Sequence, residues 1–163
     1  MRVYIPATVP MLRAFVDSGE LAPVTGTAFA LTPALRESYA AGDTEELEYS
    51  AMLDAARASL RLLAADEKAE PRRAVIAVDV EDVTLRPDLD FSVVKVVGSF
   101  TTKEVAAVHL DTAEAEADVR AAADVIDAAD LGDPDAEFAL GSAEDHELAW
   151  YAAQELPFVL ELL

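Results

Sequence analysis

The chain has 163 residues, 53% hydrophobic and 27% charged, with 32 acids, 12 bases and no cysteine. This mix excludes a disordered polymer, and the missing cysteine excludes disulfides, thiolate metal sites and thiol nucleophiles. A net charge of −20 disfavours nucleic acid and anionic membranes as ligands.

The length predicts one globular domain over residues 1–163, able to bury roughly 70% of its unfolded surface. Met1 to Pro6 is not followed by the apolar core of a signal peptide, and no apolar run approaches the ~18 residues of a membrane span. A cytoplasmic location is the expectation.

Arg2-Val3-Tyr4-Ile5 alternates and predicts a strand. Thr8 can cap a short helix with Leu12, Phe15 and Val16 inward and Gly19 at its stop. After a Pro/Gly loop, Ala28 to Leu31 predicts a second strand, and Thr32-Pro33 the cap and first position of a helix ending before Gly42. Asp43 or Thr44 opens the longest helix, about residues 45–65, with Tyr49, Met52, Leu53, Ala56, Leu60 and Leu63 at helical spacing.

Ala74 to Val80 predicts another strand. Ser92–Phe100 and Glu104–Leu110 predict a hairpin around Thr101-Thr102-Lys103. Asp111 and Glu114 have capping-box spacing before a helix over about 112–129. Residues 130–141 read as a loop interrupted by a short strand, Phe138-Ala139-Leu140. Ser142 then caps a last helix through Leu156, and Pro157 opens an apolar tail.

These elements predict an α+β (mixed α/β) fold, with a mixed sheet of about five or six strands, a central antiparallel hairpin and about five covering helices. Val3-Tyr4-Ile5 and Phe29-Ala30-Leu31 can be set against Val108-His109-Leu110 and Phe138-Ala139-Leu140, which suggests two βαβ-like halves with both first strands central.

Charge is uneven along the chain. From Glu104 onward there are 16 acids and one base, Arg120, a net of −15 against −5 for residues 1–103. If these carboxylates converge, they form a surface for a protein partner with a basic face, or for self-association. Arg57, Arg61, Arg72 and Arg73 folding over them would remove that reason.

Signatures of chemistry are few. There is no G-x-S-x-G, no Walker or dinucleotide glycine pattern and no H-E-x-x-H, so no catalytic residue, cofactor or metal is assigned. His109 and Asp111, two apart at a strand end, share a face, and with Tyr4 they form the candidate ligand pocket of a rival reading, an enzyme or small-ligand-binding protein. A raised histidine pKa in that pocket would favour the enzyme. His146 reads as solvated, in the first turn of an acidic helix.

The 133–144 segment places acids at positions 1, 3, 5 and 12 of a calcium-loop pattern, but Phe138 holds the sixth position, where glycine is wanted. Weak divalent-cation binding there is the third reading. The tail residues Phe158, Val159, Leu160, Leu162 and Leu163 either close the core or form the candidate interface with a second subunit.

The runs Arg2-Val3-Tyr4-Ile5-Pro6-Ala7-Thr8, Ala28-Phe29-Ala30-Leu31-Thr32-Pro33-Ala34-Leu35 and Glu45-Glu46-Leu47-Glu48-Tyr49 resemble a family of short actinobacterial proteins of unknown function. The resemblance runs the length of the chain, implies no activity and transfers no functional residue. The preferred expectation is a non-enzymatic binding protein that uses its acidic C-terminal half.

Overall fold

A computed structural model describes residues 1–163. In chain order the elements are β1 (Arg2–Ala7), α1 (Val9–Ser18), β2 (Glu20–Leu21), β3 (Thr27–Ala30), α2 (Pro33–Ser38) and α3 (Thr44–Ala65). Then come β4 (Ala74–Asp79), β5 (Val83–Leu85), β6 (Val93–Val96), β7 (Phe100–Thr101) and β8 (Val105–Leu110). The chain closes with α4 (Glu116–Asp130), α5 (Pro134–Glu144), β9 (Ala149–Tyr151) and α6 (Leu156–Glu161). The fold is α+β, and no helix is long and apolar enough to cross a membrane.

Local chemistry sets most helix starts. The Thr8 hydroxyl accepts from the Met11 amide, Thr32 from Leu35, and the Asp43 carboxylate from Glu46, so each α-helix of the first half has a side-chain cap. Gly19 ends α1 at φ 82°, and its amide donates to the Phe15 carbonyl; a side chain there would be strained.

Seven strands form one sheet in the order β5-β6-β3-β1-β4-β8-β9, and every neighbouring pair is antiparallel. The short strands β2 and β7 pair separately. Alternation along the strands divides the core. Val3, Ile5, Ile76, Val78, Val94, Val108 and Leu110 face α1 and α6, where Leu12, Phe15, Leu156 and Leu160 cover them. Tyr4, Phe29, Val75, Ala77, Val93 and Ala107 face the other way, under Leu35, Ala51, Met52, Ala55 and Ala56 of α2 and α3. Beyond α3, Leu60 and Leu63 pack with Val119, Ile126 and Leu140 in a layer of helices only.

Several sequence expectations are corrected. The 92–100/104–110 hairpin does not form: β6 pairs with β3 and β5, β8 pairs with β4 and β9, and three strands lie between them. Both are interior strands that satisfy ladders on two sides, while Phe100 leaves to bury its ring against Phe15, centroids 5.5 Å apart. The duplicated halves fail too. β8 lies near one edge and its neighbours are antiparallel, and Phe138-Ala139-Leu140 is helical, inside α5.

The 133–144 segment is therefore no calcium loop. Asp133 accepts from the Ala136 amide at 3.0 Å and caps α5, with Pro134 at its first position, so the remaining acids wind around a helix. Ser142 starts nothing. The chain leaves α5 after Glu144, makes β9, and re-enters a helix at Leu156-Pro157, so the expected tail is α6.

Candidate functional site

The four arginines of residues 1–103 named above do fold over the acidic half. Arg57 reaches Asp130, Glu137 and Glu144 at 3.3, 3.2 and 3.9 Å, and Arg61 meets Asp130 at 2.8 Å. Arg72 pairs with Glu116 at 3.0 Å. Arg73 and Asp111 form the one fully buried pair, their side chains 2% and 0% exposed and joined by two guanidinium bonds of 2.8 Å. A third bond runs from the Arg73 amide to the same carboxylate. Five of the 16 acids from Glu104 onward, Asp111, Glu116, Asp130, Glu137 and Glu144, thus join the helical layer to α3 and the sheet, so the acidic half is neutralised in part by arginines of the first half.

Asp111 consequently leaves the site predicted for it. It does not cap the following helical turn, whose N-cap residue, Thr112, makes no side-chain cap bond either. A guanidinium held by two charge-assisted bonds outcompetes a backbone amide for a carboxylate. His146 is half-buried: its Nε2 lies 2.8 Å from Asp118, and its carbonyl accepts from Arg73 at 3.0 Å.

Tyr4 and His109, by contrast, line one cleft of about 560 Å³. The pleat puts them there. Tyr4 is in register with Ala77 and through it with Ala107, while His109 lies two residues along β8, opposite Val75 and Trp150. All point toward α3, and the two alanines keep the floor between Tyr4 and His109 low. The first three turns of α3 form one wall with Glu45, Glu48, Tyr49 and Met52. The other is the segment entering β9, with Glu147, Leu148 and Trp150.

The lining is aromatic and acidic. Tyr4 and Met52 are buried at the base, while Trp150 is 60% exposed at the mouth. The Tyr4 hydroxyl donates to Glu48 at 3.1 Å. Burial, then the Glu48 charge, drive its ionisation well above the ordinary tyrosine value, so Tyr4 stays a neutral donor.

Arg2, the one base of the lining, is tied to Asp79 at 2.9 and 3.2 Å, a bond that raises its own pKa. Glu45, Glu48 and Glu147 have no basic partner within 4 Å, leaving the cleft negative. His109 is held below the ordinary histidine pKa by burial, with no carboxylate to counter it. The acid–base pair expected of His109 and Asp111 is not made.

Sequence reasoning missed Trp150, Glu48, Tyr49 and Glu147. Tyr49 was assigned to the apolar seam of the long helix, yet it stands half exposed among Glu45, Glu46 and Glu48, an acidic neighbourhood that marks a wall better than a core. The only tryptophan of the chain, in Ala149-Trp150-Tyr151, was placed inside a helix. Of the tail residues, Leu160 is buried and Val159 and Leu163 pack against the same cluster. Phe158 on α6 and Leu162, which caps that helix, are 70% and 86% exposed.

The fold and the cleft together define an antiparallel-sheet α+β protein with an aromatic, acid-lined recess between its sheet and its longest helix. The chain belongs to a family of unknown function, DUF6912, whose model matches residues 1–160. No match exists among curated proteins or among solved structures.

Proposed function

We propose that the protein is a binding protein whose cleft takes the positively charged head of an organic amine, free or carried as a lysine side chain. The observation that carries this reading is the coincidence of three glutamates without basic partners and three aromatic rings around one recess. A cation over Trp150, Tyr49 or Tyr4 gains from the ring faces, roughly 0.5–2 kcal/mol each according to how dry the site is. Glu45, Glu48 and Glu147 add attraction that a neutral or anionic ligand would not feel. The volume lies within the usual range for small-ligand clefts, about 300–1,000 Å³.

This reading keeps the expected cationic companion but seeks it at three acids without basic partners, of which only Glu147 belongs to the C-terminal half. Catalysis has less support. The histidine lacks its carboxylate and its pKa is lowered, the opposite of what would favour the enzyme.

Calorimetric titration with benzylamine and with Nα-acetyl-lysine amide tests the proposal, using benzyl alcohol and benzoate as neutral and anionic controls. Saturable binding of a cation with a Kd below about 1 mM, weakened by salt and absent for the controls, is expected. Tighter binding of the lysine amide than of benzylamine would point to a basic polypeptide, and the reverse to a free amine. If neither cation binds, or if benzyl alcohol binds equally well, the proposal is wrong.

A further inference from the structure

Resting on that reading of the cleft, we infer that the ligand's ammonium group carries at least one N–H and that His109 accepts it, so the site selects protonated amines over quaternary ammonium. The inference starts from an unused acceptor. His109 is half-buried on β8, opposite Val75 and Trp150, and its ring makes no hydrogen bond to any protein group. Neither imidazole nitrogen is sealed from solvent without a partner, and His109 lines the cleft. Burial favours the uncharged ring, which always has one nitrogen lone pair to offer.

The glutamates attract any cation by charge, and Glu45 and Glu147 stand exposed, where water continues to serve their oxygens. His109 differs. A ligand seated over Met52 and Tyr4 strips the water from the imidazole, and an acceptor buried without a donor is penalised. An N–H on the ligand restores that bond. Three methyl groups on nitrogen cannot, although they would suit the aromatic rings alone.

The experiment titrates the whole protein with benzylamine, N,N-dimethylbenzylamine and benzyltrimethylammonium. These probes keep one charge and one ring while the N–H count falls and the bulk rises. Expected is a step: the dimethyl compound stays within about twofold of the primary amine, and the trimethyl compound binds about five- to tenfold more weakly. In His109→Phe the step should vanish, with the trimethyl compound binding at least as tightly as the dimethyl one.

The protein has two histidines, His109 and His146, so ring ¹⁵N shifts give a second readout on the unaltered chain. The His109 nitrogens should move with the dimethyl probe and not with the trimethyl one. A smooth decline with size, tighter trimethyl binding, or a step that survives His109→Phe would each overturn the inference and leave cation binding intact. Failure of all three probes would overturn cation binding itself.

Discussion

His109 and Asp111 are two residues apart at the end of β8, and their surroundings are opposites. Both carboxylate oxygens of Asp111 are engaged, with three bonds from Arg73 and no exposed side-chain surface. The His109 ring has no hydrogen bond to protein and lines a recess whose three glutamates lack basic partners. In one region charge is consumed in joining β8 to the strand beside it and to the turn at His146. In the other, charge and lone pairs are left for something else. Saturated polar groups are read as architecture and unsaturated ones around a cavity as recognition.

Asp111→Ala strikes the architecture and should have the largest effect. It strands the Arg73 guanidinium in the interior, a loss of about 3–5 kcal/mol in stability. Urea unfolding of Asp111→Ala and of the double variant Arg73→Met/Asp111→Leu checks this. The double variant should recover most of the loss, because two apolar side chains leave no charge unpaired. A single variant within about 1 kcal/mol of the parent would mean that water reaches Arg73 and that the pair is not the joint described here.

Trp150→Ala should do the reverse. The residue is 60% exposed on an edge strand, so folding loses only about 1 kcal/mol, while benzylamine affinity falls about five- to thirtyfold with the cation–ring contact. Unfolding curves and titrations on one preparation separate the two. A variant that unfolds readily but binds normally would erase the contrast, making the cleft wall part of the scaffold.

The same contrast shows what was legible in the sequence. The caps at Thr8, Thr32 and Asp43, the strands at residues 2–5, 28–31 and 74–80 and the long helix follow from local spacing, which the structure keeps. Strand partners do not: β6 and β8 looked like a hairpin because they are close in sequence, yet each needs two neighbours supplied by distant segments. Tyr4 and His109 were legible as strand residues with a polar tip. Trp150, Glu48 and Glu147 meet them only through the antiparallel return of β9 and the placement of α3.

The 133–144 segment was misread for a different reason. Asp133-Pro134 is a helix start with acids in the first turn, and the calcium-like spacing of those acids concealed it. Asp133→Ala should therefore lower stability by about 1 kcal/mol, as loss of a helix cap does, by the same amount with or without calcium. Calcium-dependent unfolding midpoints in the parent would contradict the helical assignment.

The smallest expected effect lies between the two extremes, in the half-exposed arginine network. Asp130 accepts two bonds of 2.8 Å from Arg61 and one of 3.3 Å from Arg57. The Arg61 bond foremost holds its carboxyl below the ordinary aspartate value. A carboxylate lowered by folding stabilises the fold at any pH above the unfolded-chain value, near 3.9, and that contribution disappears as pH drops through the folded value. Because Arg61 is 43% exposed, solvent reduces the benefit to less than about 1 kcal/mol. The stability gap between the parent and Asp130→Asn should thus be small but measurable in urea at pH 6, narrow below pH 4, and shrink at high salt. A gap as large as that of Asp111→Ala, or one indifferent to both pH and salt, would place Asp130 with the buried joint.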